Sequence, residues 1–516
     1  MDIENLARVG LMSKYFAEEK PDRIAVRDAS SSRTFLELHQ NANRLVHALY
    51  ALGLQAGDAI AILTSNRCEF VEVVLASLRS GLRLTPVNWH LSKTEADYII
   101  ADCEAKAVFV ESRFLNQDWI SSSHGDRYYI SIGATETNAL DYHSWIAEYT
   151  ADEIDFPEHG TFLMYTSGTT GKPKGVLRRA PDIMQPQWEE TFCDYAHETD
   201  VQLCCGPVYH AAPLYFDIRW PLVSGAEIIL LDKWDSEGVL DLIQTHQVTH
   251  LHMVPIMFQR LLALPEAVRA KYDVSSLKRV IHGAAPCPRE TKRQMIDWFG
   301  PVIFEYYSGS EGGAGIVISS EEWMAKPGSV GRIEDPNILK IVDENGERVG
   351  PDEEGEILHK VDDQNPFEYF KAPEKTAKQH KGGYFTLGDI GRIDEDGYLF
   401  LTGRSAECII SGGVNIYPSE IDQVLSGHPA VADVCTIGIP NKEWGEEVRS
   451  VVQLAPDAEA SDDLKASILT FASENLSKFK CPRSIDFVDE LPRLPSGKIP
   501  REKVRAPYWE QAESKI

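Results

Sequence analysis

The chain has 516 residues, 43% of them hydrophobic and 25% charged, and a formal net charge of −28. That length exceeds one ordinary core, so two or more domains are expected, and the acidity argues against a nucleic-acid-binding surface or attachment to an anionic membrane. An anionic ligand must then be held by a local site, because charges beyond roughly 8 Å are largely screened at physiological salt.

The start, Met1-Asp2-Ile3-Glu4-Asn5, lacks the basic and apolar segments of a secretory leader, and no apolar run is long enough to span a bilayer, so no stable membrane insertion is expected. Nine cysteines lie without a CxxC pair, which fits a reducing cytoplasm better than a disulfide framework. Short apolar runs at 59–63, 107–110 and 228–231 read as buried strands, with amphipathic helices at 35–52 and 70–80 between them. That alternation predicts layered α/β structure with mostly parallel sheets.

The run Tyr165-Thr166-Ser167-Gly168-Thr169-Thr170-Gly171-Lys172-Pro173-Lys174-Gly175-Val176 reads as a phosphate clamp. Glycines allow close backbone approach, while hydroxyls and ammonium groups supply donors and positive charge. A Walker A loop needs glycine and Ser/Thr where Thr166 and Pro173 stand, so that pattern is excluded. On composition alone a surface loop is the alternative. His246, His250 and His252 form the one histidine cluster, with His250 and His252 on one strand face, but no third ligand at zinc spacing accompanies them.

Tyr306-Tyr307-Ser308-Gly309-Ser310-Glu311-Gly312 combines an aromatic face, hydroxyls and a carboxylate, suited to a purine and to Mg²⁺ beside its phosphates; taken alone, it reads better as a strand end with a solvated glutamate. Asp389 and, past a turn at Glu395-Asp396-Gly397, Arg404 could hold a ribose, or be a turn residue and a surface charge. A domain boundary is expected at Thr402-Gly403-Arg404, where a glycine follows the 398–401 strand. Beyond it, helices at 418–425 and 461–476 and strands at 431–439, 448–454 and 485–488 predict a compact α+β unit. That unit carries a glycine turn, Gly412-Gly413, and, on a Pro/Ser/Gly turn, a single lysine, Lys498. The chain ends Ser514-Lys515-Ile516, a near match to a peroxisomal tripeptide.

These motifs in this order resemble the adenylate-forming enzymes, the superfamily of acyl-CoA synthetases, aryl-CoA ligases, firefly-type luciferases and nonribosomal peptide adenylation domains, over essentially the full length. The resemblance implies a large N-terminal domain of layered α/β subdomains, residues 1–403, and a small mobile α+β lid, 404–516. It also implies ATP, Mg²⁺ and coenzyme A as cofactors, a small-molecule carboxylic acid as substrate, and a monomer or homodimer. Thr166, Ser167, Gly168, Thr169, Thr170 and Lys174 would close over the ATP phosphates, and Glu311 would bind Mg²⁺. Tyr307 would stack on adenine beside the Gly283-Ala284-Ala285-Pro286 turn, and Ser310 would reach the AMP phosphate. Asp389 and Arg404 would hold the ribose. Lys498 would bridge the carboxylate and the α-phosphate, while Gly412 and Gly413 would meet the pantetheine arm after the lid rotates. Thr166, His210, Glu311 and Lys498 are thus the implied catalytic set.

In the implied reaction a carboxylate attacks the α-phosphorus of ATP, giving acyl-AMP and pyrophosphate, and a thiol then displaces AMP. Amino-acid-activating relatives carry an aspartate where His210 stands, so an α-amino acid is not the expected substrate. Tyr209, Ala211, Ala212, Tyr215, Phe216 and Ile256 suggest an apolar pocket for a fatty, alicyclic or aryl acid. Ala406 occupies the hinge position usually held by Asp or Lys, which keeps open an amide synthetase that passes the acyl group to an amine. A luciferase is a more distant alternative. A catalytically silent binding protein is disfavoured by the retention of Lys174, Glu311, Asp389, Arg404 and Lys498 together.

Overall fold

The protein is represented by a computed structural model that describes residues 3–115, 127–134, 137–166, 173–179, 193–195 and 199–510. Two eight-stranded sheets dominate the first three hundred or so residues. One runs in the order Gly312–Ile318, Ile303–Gly309, Arg279–His282, His250–Met253, Val201–Cys204, Glu227–Leu230, Ile24–Arg27 and Ser32–Thr34, parallel except at its two ends. The other runs Phe367–Tyr369, Lys174–Arg178, Thr161–Thr166, Arg83–Pro86, Ala59–Leu63, Ala105–Glu111, Tyr128–Ile132 and Leu140–Asp141, antiparallel only among its first three strands. Helices pack between and against them, as expected for strands that read as unbroken apolar runs. The helix Phe35–Ala51 starts where Thr34 accepts from the Glu37 N–H and Glu37 reaches back to the Thr34 N–H, and its buried face carries Phe35, Leu38, Ala42, Leu45 and Leu49.

A third sheet departs from the parallel expectation. Ser329–Arg332, Leu339–Val342, Gly355–Lys360, His380–Lys381, Tyr384–Ile393 and Tyr398–Arg404 are wholly antiparallel. Tight turns at Gly382-Gly383 and at Gly397, all with positive φ, join neighbours that are too close in sequence for a parallel crossover. The last of these strands also runs past the expected stop. Gly403 and Arg404 continue the ladder, paired with Ile390 and Asp389, so the glycine does not end the strand.

Residues 409–510 form a five-stranded sheet, Val414–Ile416, Ile409–Ser411, Gly445–Leu454, Val431–Asn441 and Ser484–Val488, covered by helices Pro418–Leu425, Asp462–Asn475 and Arg501–Glu510. Ile409, Ile421, Leu425, Val452, Ile468 and Ile485 pack there in a core of their own. The protein is therefore a mixed α/β molecule with a large N-terminal and a small C-terminal domain. No helix of the described residues is long and apolar enough to cross a membrane. Ser514-Lys515-Ile516 lies outside the described residues.

Candidate active site

A cleft of about 1380 Å³ lies where the two parts of the chain meet. Its lining brings together Thr166, Lys174, Ala284, Ala285, Tyr307, Ser310, Glu311, Asp389, Arg404 and Lys498. One wall is a hairpin in which Thr166 lies directly opposite Lys174, so the glycine-rich run connects two antiparallel strands. A Walker A loop instead joins a strand to a helix. Ser167, Gly168, Thr169, Thr170, Gly171 and Lys172 fall outside the described residues.

A second hairpin supplies the acid. Gly309 pairs with Gly312, which leaves Ser310 and Glu311 as its two-residue tip. The Tyr369 hydroxyl donates to Glu311 Oε1 at 2.9 Å, and the Lys174 ammonium lies 5.1 Å above the Tyr369 ring. Arg178 donates to the Glu311 carbonyl at 2.9 Å, fixing the turn from below.

The Asp389–Arg404 pair follows from strand register, since the two residues face each other across the ladder. Arg404 Nε donates to Asp389 Oδ1 at 3.0 Å, and the Tyr307 hydroxyl donates to Oδ2 at 2.8 Å. Burial, the Asp389 charge and this hydrogen bond push the Tyr307 phenol well above its usual range, so it stays a donor. His359 Nε2 lies 3.3 Å from the same hydroxyl, and burial holds that imidazole neutral with a pKa lowered to about 4. Each Asp389 oxygen keeps a lone pair for a further donor.

Lys498 enters the same cleft from the small domain. Its loop is tied down at both ends: Leu494 donates to the Lys498 carbonyl at 2.8 Å, Leu494 accepts from Gly497 at 2.8 Å, and Arg493 bonds both the Gly497 carbonyl and Asp433. Three residues further on, Arg501 bonds Asp422 (2.9 Å), Glu407 (3.1 Å) and the Thr436 carbonyl. Gly497 has φ +82°, and a Cβ there would sit 2.8 Å from Ile256 Cγ2 and 3.1 Å from Val254 Cγ2. Only glycine lets the loop dock this closely. The Lys498 ammonium reaches solvent through the cleft, yet the surrounding protein lowers its pKa, first by desolvation and then by the nearby Arg404, against the raising influence of Asp389, Glu311 and Glu407.

Four expected positions stand apart from the lining. Gly283 packs beneath Tyr306, where a Cβ would lie 2.6 Å from ring carbon Cε1, and its neighbour Ala284 takes the left-handed φ of 65° that brings the turn to the cleft. His210 sits behind the wall with its Nε2 buried and unpartnered, and burial, Lys498 and His90 lower its pKa to about 4, so the ring is neutral. Gly412 and Gly413, with φ of 59° and 82°, form the tip of the Ile409–Ser411/Val414–Ile416 hairpin, Gly412 close against Trp444, away from the cleft. The histidine cluster does not converge on a metal: His250 bonds Thr249 and the Cys193 carbonyl, His252 meets Tyr306, and among the described residues no group of three ligand-type side chains could hold an ion.

Tyr369, Arg178 and His359 were not marked by any sequence motif. Tyr369 is 58 residues from the glutamate it holds, and no local pattern signals such a contact. Gly497 had a legible signal in the Pro-Ser-Gly-Lys turn, although its packing role needs the fold.

A glycine-rich hairpin, an aromatic-carboxylate-arginine triad and a lysine from a second domain, all facing one cleft, define an adenylate-forming enzyme. Comparison with known proteins identifies the family: the chain belongs to the AMP-binding enzymes, whose family model matches residues 14–362, with the AMP-binding enzyme C-terminal domain at 420–498. It is 31% identical to a feruloyl-CoA synthase of Amycolatopsis sp over 95% of this chain and 96% of that protein. It is 32% identical to a 2-succinylbenzoate–CoA ligase of Geobacillus kaustophilus over 94% and 95%. The fold matches the crystal structure of the anthranilate CoA ligase AuaEII in complex with anthranoyl-AMP, with a TM-score of 0.88 at 24% identity and all of both chains covered. The chain thus stands among the AMP-forming acid:thiol ligases, which act on small-molecule carboxylates using ATP and coenzyme A.

Proposed function

We propose that this enzyme converts an apolar fatty, alicyclic or aryl carboxylic acid to its CoA thioester through an acyl-AMP, with the division of labour drawn from the cleft. The observation that carries this reading is the position of Lys498, delivered by the small domain into the cleft that holds Glu311, Asp389 and Arg404. Adenylation asks for little proton transfer; it asks that two anions be aligned and that charge gathering on the α-phosphoryl group be neutralised. Lys498, in its cationic form, supplies that charge and orients the carboxylate. Asp389 accepts from the ribose hydroxyls, its two oxygens held in place by Arg404 and Tyr307, and Tyr307 and the Ala284-Ala285 turn border the base. Thr166 and Lys174 anchor the ends of the phosphate loop.

Glu311 fits a Mg²⁺ ligand: Tyr369 occupies only one of its oxygens, and a lone carboxylate suits a cation that takes its other ligands from nucleotide phosphates and water. Bound there, Mg²⁺ would supply charge neutralisation to the phosphates. His210, neutral and close enough to Lys498 to feel its charge, backs the wall behind the reacting carboxylate and would have to turn inward to touch it. The division between large domain and lid is placed at 403/404, and rotation about Ala406, within the 3-10 turn Ser405–Glu407, would withdraw Lys498 and bring Gly412-Gly413 to the cleft for the thiol step.

Mass spectrometry of products from purified protein, ATP, Mg²⁺ and pooled fatty, alicyclic and aryl acids tests this, with CoA or with simple amines as acceptor. Acyl-CoA is the expected product. Acyl-AMP that persists with CoA but yields amide with an amine would reassign the second step and make Ala406 the first residue to examine.

A further inference from the structure

The acyl end of the cleft has a distinctive back wall. The segment Leu214–Arg219 is a π-helix, and its wider turn brings Tyr215 and Phe216 to the cleft while Asp217, Ile218 and Arg219 are buried behind. Phe216 packs on Tyr306 at 4.8 Å between ring centroids, and Trp220 joins both in one cluster that Ala212 flanks. Phe216, Tyr306, Trp220 and Ala212 all line the cleft.

Behind these rings the interior is polar. Phe216 stacks at 5.2 Å on His252, whose Nε2 lies 3.2 Å from the Tyr306 hydroxyl and whose Nδ1 lies 3.5 Å from Asp217 Oδ2. Gln202 donates to Asp217 Oδ1 at 2.6 Å, and the Tyr195 hydroxyl donates to Gln202 at 2.8 Å. His252, Tyr306, Asp217, Gln202 and Tyr195 are all buried. A long alkyl tail extended in this direction would have to displace the Tyr306–His252 and Tyr195–Gln202–Asp217 hydrogen bonds, and would leave His252 Nδ1 and Asp217 Oδ2, already buried without a hydrogen-bond partner, against hydrocarbon. A flat ring needs no such depth: it gains dispersion and edge-to-face contact from Phe216, Tyr306 and Trp220, and Ala211 and Ala212 leave it width.

We propose that the acid is a compact aryl carboxylate and not a long-chain fatty acid, with Phe216, Tyr306 and Trp220 as the specificity-determining wall. This rests on the carboxylate-activating reading above and narrows it. The test is acid-dependent pyrophosphate release by the full chain with ATP and Mg²⁺, comparing benzoate, phenylacetate and cinnamate with dodecanoate and hexadecanoate. The expected result is a kcat/KM for at least one aryl acid more than about tenfold above either alkyl acid. In Phe216→Ala that ratio should fall by about tenfold, with its melting temperature checking that it folds. A preference for dodecanoate or hexadecanoate overturns the wall assignment but leaves carboxylate activation standing, whereas release with none of the five acids overturns both. Should Phe216→Ala fail to fold, the wild-type ratio alone decides.

Discussion

In the proposed mechanism Lys498 is the residue on which the chemistry turns. Lys498→Ala should slow acyl-AMP formation by roughly 3–4 kcal/mol of lost transition-state stabilisation while sparing thioester formation from supplied acyl-AMP. Equal loss in both half-reactions would remove the role given to it. The cation is the working form, so adenylation falls as pH rises through the Lys498 pKa. Because the cleft lowers that value, the alkaline limb should come below the 10.5 of an ordinary lysine, and a limb at or above it would contradict the environment described. Asp389→Ala leaves Arg404 without its carboxylate and removes the proposed ribose acceptor, so ATP affinity should drop about tenfold or more by calorimetric titration. Unchanged affinity would show that the ribose lies elsewhere.

At the level of elements, the loop that carries Lys498 depends on its glycine. In Gly497→Ala the added methyl meets Ile256 and the backbone is held at positive φ, so the loop should dock poorly. Adenylation should fall while the thiol half-reaction is preserved, and loss of the thiol half-reaction instead would mean that the glycine serves the other conformation. The elements also show what sequence can and cannot reveal. Helices such as Phe35–Ala51 and Pro418–Leu425 were legible because 3.6-residue periodicity and local caps are short-range signals, and the strand Ala59–Leu63 because its apolar run is unbroken. The antiparallel sheet was not foreseen, since its strands are half-buried and its partners are fixed by turn geometry and register. The same limit hid Tyr369, His359 and Arg178, whose importance lies in contacts across long stretches of chain. Among the expected site residues that are described, Thr166, Lys174, Ala284, Ala285, Tyr307, Ser310, Glu311, Asp389, Arg404 and Lys498 meet at the cleft, whereas Gly283, His210, Gly412 and Gly413 stand behind or away from it.

On the scale of the whole molecule, Arg501 holds the small domain together as a unit. That guanidinium gathers Asp422, Glu407 and the Thr436 carbonyl, which ties the start of the last helix to the segment just past Ala406. Arg501→Met should leave Asp422 without its counter-charge and destabilise this domain by on the order of 3 kcal/mol, seen as an earlier unfolding transition in calorimetry. A transition unmoved within about 1 kcal/mol would show the cluster to be peripheral.

The strand Tyr398–Arg404 ends on the arginine that holds Asp389, and Ala406 follows two residues later. In the proposed assignment, the nucleotide's grip and the axis of rotation share one short length of backbone. On that proposal the lid needs no relay through the protein interior to sense what is bound, because the sugar's contacts lie two residues from the pivot. Exchange of ATP for AMP should accordingly register as a change in protease sensitivity at residues 404–408 before it registers anywhere else in the small domain.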